Sequence, residues 1–408
     1  MSKKLTALLL ALAMMLAMLT GCGEASAPAA EEPAESDVTA ESDETGEAEA
    51  EAETETEPLP PEAYEDPVAY LTDGAVKKGD VVITINGEEI TAEEYFYWVA
   101  FDYAQLLYNY YYYGMTLDVN EVLDEEGTTV GDFMLEQASM YAEMYALLYD
   151  KAEEAGIQLT DEQEANRAAV VESYDEETIL YYATTIQALE KNFVSTCYAA
   201  NLQSYYYGEG GELAPTEDTL ADFAEANGTY TCRYILQRTD ELEEDDADGR
   251  QAKADKAKEL YDELSALSAE EVEARFIELQ GEWNDDGNTE PFVFNEDSSL
   301  VSGFREKVAE IEEGQLVLTD ETDYGYFVIL RLPTDLESLK ADYTNTAYDT
   351  QISQWMDEAE IEVGGALLSL DASQVYERLS LMQSTIANQI TAAQAEVEAA
   401  ESGEEAVG

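Results

Sequence analysis

The chain has 408 residues, 19 of them Lys or Arg and 92 Asp or Glu, for a formal net charge of −73. Nothing in it can supply the clustered cations that displace counterions from a phosphate backbone, so nucleic acid is excluded as a partner. The absence of histidine closes Ser-His-Asp, Cys-His and His-zinc chemistry, while 45% hydrophobic residues over this length suffice for more than one buried core.

In chain order, Lys3 and Lys4 precede an apolar run from Leu5 to Leu19 that ends in Leu19-Thr20-Gly21-Cys22. A charged start and a short apolar stretch make a secretory signal, and the run is too short for a spanning helix. The pattern resembles bacterial lipoprotein signals. That implies removal of residues 1–21 and a lipid on Cys22, which would anchor the chain at the outer face of the cytoplasmic membrane. From Gly23 to Asp66 there are 17 acidic residues and no Lys or Arg. Such a composition cannot bury enough apolar surface to fold alone, so residues 22–76 are expected to be a disordered acidic linker. Its coil span is roughly 35–40 Å before charge repulsion extends it.

Order is expected from about Lys77. Val81 to Ile85 is β-branched, Asn86-Gly87 signals a hairpin turn, and Ile90-Thr91 leads into a helix with Thr91 as N-cap and Glu94 three residues on. That helix runs into the tyrosines Tyr108 and Tyr110 to Tyr113. Further helices are predicted over about 131–155, 161–173 and 175–203, the second with a Thr160–Gln163 capping box, and a short one from Pro215 to Asn227. Beyond it the order changes to strand (230–238), helix (251–266), helix (270–279), strand (291–294), helix (304–311) and a closing strand pair (315–318 and 324–332). This β-α-α-β-α-β-β order describes a compact α+β domain. A long helix follows Pro333, then Ile361-Glu362-Val363 and a last helix from about 371. Residues 391–408 are expected to be an acidic, frayed tail.

The stretch 229–333 resembles a parvulin-type peptidyl-prolyl isomerase domain. The resemblance is carried by Tyr234-Ile235-Leu236, the Ala-rich helix at 252–266, Asn284-Asp285-Asp286, Leu300-Val301-Ser302-Gly303-Phe304, Glu313-Gly314-Gln315 and Tyr324-Gly325-Tyr326-Phe327-Val328-Ile329. The flanks at 81–97, 215–227 and 335–363 are similar to the chaperone domain of the PrsA and SurA foldases. The resemblance implies an α+β architecture: a mainly helical, discontinuous chaperone domain (77–228 with 334–390) and an inserted parvulin-like, FKBP-like α+β domain. It departs from the family at both histidine positions, which carry Tyr234 and Phe327, and at the Gly-rich turn, which reads Thr289-Glu290-Pro291-Phe292-Val293.

What the resemblance implies is a membrane-anchored foldase that binds unfolded secreted polypeptides and isomerises X-Pro bonds. The alternative is a holdase or scaffold whose insert has lost turnover. By position, Leu300, Phe304 and Phe327 would receive the proline ring, with Asp286 and Tyr234 as the catalytic polar groups. The same apolar residues also fit plain core positions, and Asp286 also fits an ordinary loop. The chain's 28 tyrosines suit either helix packing or contact with unfolded clients, and Tyr110 to Tyr113 are the best client candidates because four consecutive residues cannot face one core. Cys197 and Cys232 are open to a disulfide or to two buried thiols. Glu244 to Asp255 lacks the first Asp and the bidentate Glu of a calcium loop and reads as charged surface. No cofactor or metal is implied, and homodimerisation is left open.

Overall fold

The computed structural model describes residues 58–243, 245–301 and 303–405. Cys22, the signal segment and the linker up to residue 57 lie outside them. Among the described residues no helix is long and apolar enough to cross a membrane. The chain forms two compact units, one reaching Glu212 and resuming at Tyr348, the other Leu213–Ala347. The insert is therefore wider than 229–333. The short helix and the residues after Pro333 belong with it because Leu220, Ala224 and Leu339 share a small core with Phe223, Leu336 and Tyr343.

In the first unit, α1 (Pro61–Glu65) and α2 (Pro67–Leu71) correct the expected linker, which had run to residue 76. Proline opens each helix, where the missing N–H costs nothing, and the Asp66 side chain caps α2 by accepting from the Ala69 N–H at 3.0 Å. Leu59, Ala63, Val68, Leu71 and Val76 are buried, so local acidity does not prevent docking. Strands β1 (Val81–Ile85) and β2 (Glu88–Thr91) form the expected hairpin, with Asn86 and Gly87 at φ 52° and 89°. β7 (Ile361–Val363), from the far end of the chain, adds antiparallel to β1 and makes this unit discontinuous.

Helix α3 (Ala92–Tyr112) opens on the Thr91–Glu94 box, the Glu94 carboxylate accepting from the Thr91 N–H at 2.7 Å. It packs beside α4 (Val130–Glu154), which in turn packs on α7 (Ile186–Tyr207). Trp98 stacks on Tyr145 and Tyr141, with ring centroids 4.8 and 5.5 Å apart. α5 (Asp161–Ser173) carries the expected Thr160–Gln163 box. The helix expected over 175–203 is instead α6 (Glu176–Tyr181) and α7. Ala183 takes φ 49° between them, and Thr185 caps α7 by accepting from the Ala188 N–H. The last helix, α13 (Ala372–Glu405), buries Val375, Tyr376, Leu379, Met382 and Ile386 at helical spacing, and its backbone continues through most of the expected frayed tail.

The second unit holds α8 (Glu217–Ala226), β3 (Tyr230–Arg238), α9 (Ala247–Ser265), α10 (Val272–Trp283), β4 (Phe292–Phe294), α11 (Phe304–Ala309), β5 (Leu316–Leu318) and β6 (Gly325–Leu332); α12 (Lys340–Glu358) begins in it and ends in the first unit. Its sheet is antiparallel, in the order β4-β3-β6-β5. The two-residue period of a strand divides the side chains between its faces. Ile235, Val328 and Leu330 meet Leu260, Leu264 and Phe276 of α9 and α10. On the opposite face Cys232, Leu236, Phe327 and Ile329 meet Phe304 and Val308 of α11. Cys197 and Cys232 are not disulfide-bonded; each is buried in the core of its own unit. Asp246 acts as the cap of α9, accepting from the Gly249 N–H at 2.8 Å.

Candidate functional site

Register places Tyr234 opposite Ile329 and Leu236 opposite Phe327, so Tyr234 and Phe327 fall on the face that α11 covers. Gly303, at φ 88°, starts α11 from a left-handed turn, and its N–H donates to the Glu306 carboxylate at 2.9 Å. This entry drives Phe304 inward to 3% exposure, where its ring meets Phe327 edge-on at 5.0 Å and Tyr234 at 5.7 Å. Tyr234 also meets the edges of Phe292 and Phe327, each with a centroid distance of 5.7 Å. Gly325 is required where β6 begins: its φ is 138°, and a Cβ there would stand 2.2 Å from the Gln237 carbonyl oxygen.

The aromatic rings do not fill this face. They border a cavity of about 200 Å³, whose wall also includes Leu300, Val301, Arg238, Tyr324 and Asp286. Small-ligand pockets run from roughly 300 Å³ upward, so the space suits one side chain of a polypeptide. All five residues singled out from sequence, Tyr234, Asp286, Leu300, Phe304 and Phe327, line it. Phe304 and Phe327 are also core residues, Leu300 is half-buried and Asp286 is exposed.

Asp286 is held from two sides. The Tyr234 hydroxyl donates to its Oδ2 at 2.6 Å, and the Asn288 N–H donates to its Oδ1 at 2.9 Å. Burial first, and the accepting Asp286 carboxylate second, raise the Tyr234 pKa, so the phenol stays neutral and remains a donor. The loop that carries Asp286 is anchored just ahead of it. The Asn284 side chain accepts from the Leu236 N–H at 2.8 Å and donates to the Asn288 carbonyl at 2.8 Å. Asp285 accepts from the Arg238 N–H at 2.7 Å and from Lys253 Nζ at 2.6 Å.

Sequence reasoning missed Phe292, Arg238 and Tyr324 as wall residues and Asn288 as the second donor. Phe292 stands two residues before Phe294 in the short strand expected over 291–294, a spacing that puts both rings on one face and is the signal that marks it as a wall residue. Arg238 and Tyr324 come together only through the β3–β6 register. Of the tyrosines expected to meet clients, Tyr110 is buried at 6% exposure, which corrects its place in that group, whereas Tyr111, Tyr112 and Tyr113 are exposed.

No family model and no curated protein matches this chain. Among solved structures it is similar to one described with the SurA-like chaperones of Campylobacter jejuni, at 17% identity over 68% of this chain and 94% of that one, with a TM-score of 0.21. It is also similar to PrsA from Bacillus subtilis at 14% identity over 65% and 93%, TM-score 0.22. A third is the peptidylprolyl isomerase PrsA from Bacillus cereus, at 15% identity over 63% and 97%, TM-score 0.26. At these values the cavity must be read from its own geometry.

Proposed function

We propose that this protein is an extracytoplasmic foldase, tethered through Cys22, that holds unfolded secreted chains and isomerises their X-Pro bonds in the cavity of the second unit. The observation that carries this reading is the convergence of Phe304, Phe327, Leu300 and Tyr234 on an unfilled apolar space with Asp286 at its edge. Rotation about an X-Pro bond faces a barrier of about 18–20 kcal/mol set by amide resonance, and no covalent step is needed to cross it. The aromatic walls take up the proline ring and strip water from the imide. The planar imide moves negative charge onto its oxygen; a carboxylate fixed nearby opposes that transfer and favours the twisted state. Tyr234 and Asn288 keep that carboxylate in place.

A proline-limited refolding assay tests the reading. The protein should accelerate the slow phase, and Asp286→Ala should remove most of the acceleration while leaving the fold intact. If wild type and variant both leave the slow phase at its uncatalysed rate, isomerisation is lost and the holdase reading takes its place. That second reading is favoured by one feature, the aromatic residues Tyr234 and Phe327 at the positions where the family it resembles has histidines.

A further inference from the structure

The C-terminal end of α3 carries a second surface, remote in sequence from the cavity. Tyr108, Tyr111, Tyr112 and Tyr113 are 65, 82, 72 and 60% exposed, and the rings of Tyr112 and Tyr113 meet edge-on at 5.2 Å. Large side chains left in water along one helix end present aromatic faces with no core to fill. Their electrostatic setting is one-sided. No Lys or Arg occurs between Lys78 and Lys151, and the segment following the tyrosines carries Asp118, Glu121, Asp124, Glu125 and Glu126. A helix C-terminus adds the negative end of the backbone dipole. Four cations of this unit are paired elsewhere: Lys151 with Glu154 at 2.8 Å, Arg167 with Glu164 at 2.8 Å, Lys191 with Glu94 at 2.7 Å and Arg378 with Asp73 at 3.1 Å.

Electron-rich rings in a field of carboxylates, within a stretch of chain that has no Lys or Arg of its own, complement an external cation. We propose that this tyrosine end of α3 docks extended, unfolded polypeptide segments rich in arginine or lysine. The tyrosine faces receive the cationic heads, and the surrounding carboxylates steer the segment in. This deepens the client-holding half of the function proposed above and rests on it. It selects clients by charge, and it is independent of proline.

The test uses the full chain and a fluorescent, unstructured Gly/Ser peptide carrying spaced arginines and no proline, compared with the same peptide carrying citrulline. Anisotropy should show binding of the arginine peptide that weakens as salt is raised and falls about tenfold in the triple variant Tyr111→Ser, Tyr112→Ser, Tyr113→Ser. The citrulline peptide should bind no better to wild type than the arginine peptide binds to that variant. Equal binding of the two peptides overturns the proposal, because the surface would then be merely apolar. Unaltered binding by the triple variant overturns it as well, since bulk acidity alone would explain the affinity. So does tyrosine-dependent self-association, or tyrosine-dependent binding to neutral phosphatidylcholine vesicles, either of which assigns the surface another occupant. Because the peptide lacks proline, its failure leaves the cavity reading standing. Loss of refolding catalysis with arginine-peptide binding intact would remove the cavity reading alone.

Discussion

Both units set an aspartate among tyrosines, with opposite results. In the first, Asp102 of α3 is 4% exposed, and neither carboxyl oxygen has a hydrogen-bond partner among the described protein atoms. Its neighbours in charge are Tyr95 and Tyr97 on α3, Tyr141 on α4 and Tyr376 on α13, and burial pushes its pKa up to about 8. In the second unit Asp286 is exposed, takes one hydrogen bond from a tyrosine and one from the backbone, and borders open space. Tyrosine and aspartate side by side do not make a site. The candidate site arises where the rings stop short of filling the interior and the carboxylate keeps donors.

The contrast breaks most directly at Asp102. Its folded pKa of about 8 stands above the ordinary value near 3.9, so the native state binds the proton more tightly than the unfolded chain. The contribution of Asp102 to stability should be greatest below about pH 4, decline as pH rises from there to about 8, and level off beyond. Asp102→Asn should flatten that decline and raise stability above pH 8 by about 3–6 kcal/mol, less whatever the unpartnered amide costs. Urea unfolding of wild type and variant across pH checks this; a difference between the two that does not change with pH would mean that the carboxyl is well paired.

Phe304→Ala probes the wall of the cavity. Because the ring is also core, it should cost the second unit about 3–5 kcal/mol, read from the same denaturation curves. A loss near zero would place Phe304 at the rim. Asp286→Ala should change stability by under about 1 kcal/mol, since the group is exposed, yet slow catalysed refolding by about tenfold. If its effect on stability exceeds its effect on rate, Asp286 is a structural residue like Asp102. The gentlest change is Tyr234→Phe, which keeps the ring packing and deletes the 2.6 Å donor to Asp286. It should cost about 0.5 kcal/mol, the low end for one hydrogen bond, and lower the refolding rate only a few-fold, because the Asn288 N–H still holds the carboxylate.

Much of the second unit was legible in the sequence because each of its elements carries its own signal. The β-branched run at 230–238, the Ala-rich helix behind it and the two closing strands predict the observed order, with ends shifted by a few residues. The first unit was less legible where local chemistry and long-range packing disagree. Residues 59–71 are acidic and proline-bearing like the linker before them, yet their apolar residues are buried, and Arg378 of α13 donates to the Tyr70 carbonyl. The break at Ala183 carries no glycine or proline to announce it. Tyr110 differs from Tyr111 only in the face of the helix it occupies.

By itself the sequence determines the alternation along β3 and β6, and therefore that Cys232, Tyr234, Leu236, Phe327 and Ile329 share one face of a sheet. It also determines the net charge of −73, which disfavours nucleic acid as a partner, and the lack of imidazole that narrows the chemistry. Only the tertiary structure decides that this face keeps a cavity of about 200 Å³, and that the Tyr234 hydroxyl finds Asp286 52 residues later in the chain. The physical reason is that periodicity is a property of neighbouring residues, whereas empty space depends on how far α11 and the 284–301 segment approach the sheet.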